Sequence, residues 1–273
     1  MLNRRTFGKI VASTGMAATI GAASTSVASA ATGRSAAATT DAAAGAPEGG
    51  RRVVLVHGAY ADGSCFSDVI PHLQAAGVTV TSVQNPLTSV ADDVAAVRRI
   101  LDLQTGPTVL VAHSYGGTVI SQAGDHPKVR SLVYLSARAP EAGEDYAALS
   151  KKFPAPPANA GLVYQNGFGQ LTEKAFLDDF ANGVPAERAR VLYAAQGRIA
   201  QTLFTTKTSA AAWTSKPTRY VITTEDRTTN PELQRFLAKR MKATTIEVAS
   251  GHLSFITHPK TISAFILDAV NSK

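Results

Sequence analysis

Cysteine is almost absent from this chain: Cys65 is the only one in 273 residues. A single thiol can form no internal disulfide and anchors no multi-cysteine metal site. Its simplest reading is a small residue on a helix face. Charge is sparse as well, at 17% of residues, and the cations form no dense stripe interleaved with aromatics. That pattern argues against a nucleic-acid partner. Long apolar runs are missing too. The stretch Ile10–Ala23 is short and diluted with Ala, Gly and Thr, which makes it a poor membrane span. With 45% hydrophobic residues, the chain still has ample material for one globular core of ordinary enzyme size.

The first thirty residues are expected to be a signal peptide. Asn3-Arg4-Arg5-Thr6-Phe7-Gly8-Lys9 resembles the twin-arginine export motif, a weakly apolar stretch follows, and Ala28-Ser29-Ala30 supplies a small-x-small cleavage site. Export to the periplasm or the exterior follows, with no stable membrane insertion after cleavage. The leader carries three of the cations, so its removal leaves 24 cations against 20 acids. Residues 31–50 are mostly Ala, Thr, Gly and Ser, a composition that reads as a disordered linker.

From Arg51 to the end at Lys273 the pattern is that of one α/β domain. Val53–Val56 is a continuous apolar, largely β-branched run, as expected of a parallel strand buried on both faces, and Val78–Val83, Val109–Val111, Leu132–Leu135, Tyr220–Ile222 and Thr245–Val248 read as five further strands. Between them, apolar residues recur at helical spacing: Phe66, Val69, Ile70 and Leu73, closed by Gly77; then Val90, Val94, Val97 and Leu101. Ile262, Phe265, Ile266 and Ala269 mark a last helix. Alternating strands and helices predict a mostly parallel sheet flanked by helices. The rhythm breaks at about 139–217. This stretch offers helical patches at Lys174–Ala181 and Pro185–Gln196, the irregular Phe153–Pro157 and no convincing buried strand. It is expected to be a helical lid insertion rather than a separate domain.

The chemistry-bearing residues sit at the ends of the strands. Ala112-His113-Ser114-Tyr115-Gly116-Gly117 follows the third strand and opens a helix, the setting of a nucleophile elbow. A serine hydroxyl is a weak nucleophile and needs a base. His252, after the last strand, is the candidate. His57 and His113 lie inside motifs, His72 on an amphipathic helix, and His126 and His258 before prolines. The base in turn needs an orienting carboxylate. Asp226 after the fifth strand is preferred over its neighbour Glu225, with Glu141 and Asp145 as weaker alternatives. A developing oxyanion calls for two backbone amides. That of Tyr115 and one from His57-Gly58-Ala59-Tyr60, best Ala59, are the candidates.

Together, Val53–Ala59, Ala112–Gly117, Thr224-Glu225-Asp226-Arg227 and Ser250-Gly251-His252 resemble the α/β-hydrolase superfamily. More narrowly, they are similar to its bacterial esterases related to plant methylesterases and hydroxynitrile lyases. The resemblance spans about residues 51–271 and implies ester hydrolysis through an acyl-enzyme, with a small-molecule ester as substrate and no metal or organic cofactor. The plant lyases carry threonine where this chain has Gly58, and lysine where it has Leu253. The esterase is therefore preferred over a lyase that splits a C–C bond, and the intact triad speaks against an inactive relative that merely binds a small molecule.

Overall fold

A computed structural model of the chain describes residues 50–272. The leader expected at 1–30 and the linker at 31–50, Gly50 apart, lie outside the described residues. Nine strands follow one another among those residues: β1 (Arg52–Val56), β2 (Thr79–Val83), β3 (Thr108–His113), β4 (Val129–Leu135), β5 (Leu162–Gln165), β6 (Phe168–Leu171), β7 (Ile199–Ala200), β8 (Thr218–Thr223) and β9 (Thr244–Val248). Six of them form one sheet in the order β2-β1-β3-β4-β8-β9. Every neighbouring pair in it is parallel, and the six coincide with the six strands expected from the sequence.

Right-handed crossovers dictate where the helices go. The chain steps one way from β1 to β2 and the other way from β2 to β3. The Ile70–Ala75 helix and the Val90–Leu103 helix therefore cover opposite faces. The former shares its face with the last helix, Pro259–Asn271, and the latter with Gly116–Ala123. Covered on both faces, Val53–Val56 and all of β3 are buried, which is why these strands read as unbroken apolar runs. The reversal of strand order between β1 and β3 also opens a crevice at their carboxyl ends, where ligands bind in open α/β sheets.

The helices differ from expectation in one detail. The periodic Phe66–Leu73 stretch is a 3₁₀ turn, Gly63–Phe66, followed by a separate helix, Ile70–Ala75, with Pro71 in its first turn. Proline suits a first turn because the missing N–H would have no helical partner there. Cys65 is buried within the 3₁₀ turn.

The segment between β4 and β8 is more varied than a helical lid. A three-stranded antiparallel sheet, β5-β6-β7, is interleaved in sequence with its helices, the Glu173–Ala175, Phe176–Phe180 and Ala186–Ala194 helices lying between β6 and β7. The hairpin β5–β6 turns at Asn166 and Gly167, with φ of 50° and 79°. That is the left-handed pair a two-residue type I′ turn requires. The expected patch at Lys174–Ala181 is a short α-turn, Glu173–Ala175, running into a π-helix, Phe176–Phe180; the next helix is Ala186–Ala194. No described helix is long and apolar enough to cross a membrane.

Candidate active site

Ser114 stands on the turn between β3 and the Gly116–Ala123 helix, with φ of +53°. A left-handed serine costs about 1–2 kcal/mol, so the surroundings must hold it. Its N–H donates to the Leu135 carbonyl at 3.2 Å, and its carbonyl accepts from Gly117 and Arg138 amides, each at 3.0 Å. A Cβ on Gly117 would come within 2.0 Å of the Arg138 carbonyl, so only glycine lets the helix approach the β4 loop this closely.

His252, in the loop after β9, is fully buried. Its Nδ1 lies 2.8 Å from Asp226 Oδ2. A carboxylate accepts, so Nδ1 carries the proton and Nε2 of the neutral ring keeps a free lone pair. That Nε2 is shielded from solvent and has no hydrogen-bond partner. The ring packs against His113, with centroids 4.4 Å apart, and against Phe180. The His113 Nε2–H donates to the His252 carbonyl at 3.2 Å, and burial holds the His113 imidazole well below its ordinary pKa. No hydrogen bond joins Ser114 to His252 among the described residues, and such contacts commonly tighten only around substrate.

Asp226 is buried and its oxygens are fully engaged. Oδ1 accepts from the Thr228 and Thr229 amides at 2.8 Å each. Oδ2 accepts from Thr223 Oγ1 at 2.8 Å, Gln234 Nε2 at 2.9 Å and His252. Gln234 and Thr223 escaped the sequence reading. The available signal was a glutamine on the buried stripe of the Pro231–Arg240 helix, alongside Leu233, Leu237 and Ala238. The alternative acids are placed elsewhere. Glu225 is exposed, Glu141 faces Arg240 at 3.6 Å, and Asp145 caps the Tyr146–Ser150 helix. His126 meets Asp102, and His258 meets Thr257.

Ala59 and Tyr115 line one cavity with Ser114. Among the described residues, neither of their amides is bonded to an acceptor. The Ala59 loop is pinned by a residue the sequence reading passed over. The Asn85 amide donates to His57 Nε2 at 2.9 Å, so His57 must donate from Nδ1 to the Gly58 carbonyl at 2.8 Å. This bond sets the plane of the Gly58–Ala59 peptide. Burial lowers the pKa of His57, partly offset by that bond. The Tyr115 ring is fixed too, its hydroxyl donating to buried Asp93 at 2.7 Å.

The cavity measures about 570 Å³. Tyr146, Phe153 and Phe204 from the inserted segment form part of its wall over Ser114, with Leu233 from the Pro231–Arg240 helix. It is thus a mostly apolar chamber with a nucleophile candidate and two free amides at one end.

A profile of the alpha/beta hydrolase family matches residues 53–265. Among characterised proteins, the chain is 36% identical over 124 residues to a carbendazim hydrolyzing esterase of a Nocardioides species, covering 40% of this chain and 51% of that one. It is 34% identical over 98 residues to a pyrethroid hydrolase of Sphingobium wenxiniae, covering 31% and 35%. These matches span about half, or less, of the relatives' length. The crystal structure of polyneuridine aldehyde esterase superposes with a TM-score of 0.72 at 19% identity, over 81% of this chain and 100% of that one, a likeness of fold.

Proposed function

This chain belongs to the alpha/beta hydrolase family, and from that premise we propose that it cleaves carboxylic esters as a serine hydrolase, with Ser114 as nucleophile, His252 as base and Asp226 as orienting acid. The observation that carries the reading is the state of His252. Its Nδ1–H is bound to Asp226 while its Nε2 lone pair is free, buried and unsatisfied, on the loop that follows β9 at the same sheet edge as Ser114. Ser114 Oγ gives its proton to Nε2 as it attacks the ester carbonyl carbon. The tetrahedral oxyanion takes hydrogen bonds from the Ala59 and Tyr115 amides. His252 returns the proton to the departing alcohol oxygen, leaving an acyl group on Ser114. Water, deprotonated by the same nitrogen, then releases the acid.

Ester cleavage is favoured over C–C lysis by two positions. Gly58 brings no hydroxyl to Ser114, and Leu253, buried beside His252, offers no cation to a cyanide leaving group. The names of the similar proteins, an esterase and a hydrolase, support the same bond type. The test is turnover of p-nitrophenyl esters of graded acyl length by wild type and S114A. The variant should lose several powers of ten in kcat while keeping its fold; retention of more than about a tenth of the rate would remove Ser114 from the role. Export is proposed on the Asn3–Lys9 and Ala28–Ala30 motifs. Replacing Arg4 and Arg5 by lysine should retain the protein inside the cell.

A further inference from the structure

The charged side chains lining the cavity are Arg138 and Lys151, both cationic, and no Asp or Glu lines it. Lys151 is exposed, whereas Arg138 is half-buried. Arg138 begins at the elbow itself, its amide bonded to the Ser114 carbonyl at 3.0 Å. Its guanidinium lies over the Tyr146 ring at 4.2 Å and the Phe204 ring at 5.2 Å. One nitrogen reaches the Phe204 carbonyl at a long 3.3 Å, and Nε, shielded from solvent, has no acceptor.

Arg240 likewise has a shielded Nε without an acceptor, but its charge is treated differently. Arg240 spans Glu144 with bonds of 2.7 and 3.1 Å and also reaches the Ala139 carbonyl. Its charge is matched within the protein. Arg138 forms no ion pair among the described residues. Burial holds its guanidinium below its ordinary pKa, with the Tyr146 hydroxyl opposing, yet an arginine stays charged at neutral pH. A half-buried, unmatched guanidinium with a free donor is a poor structural strut and a ready receptor for a planar carboxylate.

We propose that Arg138 binds a carboxylate on the substrate, so that the preferred esters are acid half-esters, in which one carboxyl is esterified and a second is free. The inference rests on the esterase reading. The free carboxylate sits on Arg138 between the Tyr146 and Phe204 rings, the carbon spacer lies along the apolar wall, and the esterified carbonyl reaches Ser114. Lys151 at the rim adds long-range attraction for the same anion.

Monomethyl and dimethyl esters of succinic, glutaric and adipic acids test it, assayed with wild type, R138M, R138K and K152M. Wild type should turn over at least one half-ester with a higher kcat/KM than its diester. R138M should lower that ratio by about ten- to a hundredfold, the range expected for a charged hydrogen bond, chiefly through KM. R138K should recover part of it. K152M removes a nearby charge outside the cavity and should leave the ratio unchanged. Added salt should shrink the preference. The proposal is overturned if no half-ester is preferred, or if R138M lowers both kcat/KM values equally, as loss of a mere strut would. If wild type hydrolyses none of the esters, the esterase reading fails separately. Calorimetric titration of wild type and R138M with monomethyl glutarate then decides the site: Arg138-dependent binding sustains it, and no binding overturns it.

Discussion

Replacing Asp226 by asparagine should cripple turnover, because the surroundings decide which way the new amide points. Two backbone amides, Thr228 and Thr229, donate to Oδ1 at 2.8 Å, and only the asparagine oxygen can satisfy them. The NH₂ is therefore forced into the Oδ2 position, facing His252 Nδ1, Thr223 and Gln234. Thr223 can rotate its hydroxyl toward Ser136 Oγ at 2.9 Å and accept instead. Gln234 cannot turn over, since its Oε1 accepts from the Thr223 amide at 2.9 Å and its Nε2 donates to the Thr229 carbonyl at 2.7 Å. One donor–donor conflict persists, and His252 must present a lone pair at Nδ1, moving its proton to the nitrogen that should accept from Ser114. The wrong tautomer costs roughly ten-thousand-fold in kcat in a serine protease. The persisting conflict and the lost bonds to a charged group cost about 2–4 kcal/mol of stability. The assay is kcat on an activated ester, per folded molecule as counted by urea unfolding. Glu225→Gln, a change at an exposed neighbour, serves as control and should stay within about fivefold of wild type. Retention of more than about a tenth of wild-type kcat by D226N, against that expectation, would remove Asp226 from the role; loss in E225Q alone would exchange the two roles.

Acid should destabilise the fold in a defined window. Burial lowers the pKa of His113 and of His57, so the unfolded chain binds more protons than the folded one below the ordinary histidine value of about 6.5. The stability they supply is complete above that value and is lost as pH falls, at up to about 1.4 kcal/mol per pH unit for each. Asp93, raised by burial, acts oppositely, since its folded form takes up protons first in acid. Urea midpoints at successive pH values should fall from pH 7 to 5, and H113Q should flatten that fall; an unchanged slope would count against a neutral His113. A Cβ at Gly58 would lie 2.7 Å from Ser114 Cβ and 2.9 Å from the His113 carbonyl. Gly58→Ala should thus displace the elbow or the Ala59 loop and lower kcat by about a hundredfold, the cost of a misplacement near 1 Å; normal kcat would show that the loop need not be where it is.

The parts that were legible from sequence share a physical cause. The central strands β1, β3, β4 and β8 are largely buried and so mostly apolar, and the half-exposed edge strands β2 and β9 still carry β-branched residues, so the main sheet could be read, and with it the turns bearing Ser114, Asp226 and His252. The β5–β6 hairpin was not read, because its strands are short and half-exposed, with Val163, Tyr164 and Phe168 all facing water. Its Asn166–Gly167 turn was nonetheless a readable signal. The supports of the site were hidden for another reason. Asn85 and Asp93 act on His57 and Tyr115, 28 and 22 residues away, and no local pattern announces such a meeting. His57 and His113 looked ordinary because their motifs explained them. Arg138 is hidden in the sequence because its lack of a partner acid shows only once the chain is folded.

In the proposed reaction Ser114 becomes covalently acylated during turnover. Reaction with a fluorophosphonate, followed by intact-mass measurement and peptide mapping, tests it most directly. Wild type should take up one phosphonyl group on the peptide containing Ser114, losing esterase activity in step, and S114A should stay unlabelled. An adduct on another residue, or full inactivation without any adduct at Ser114, would contradict the account.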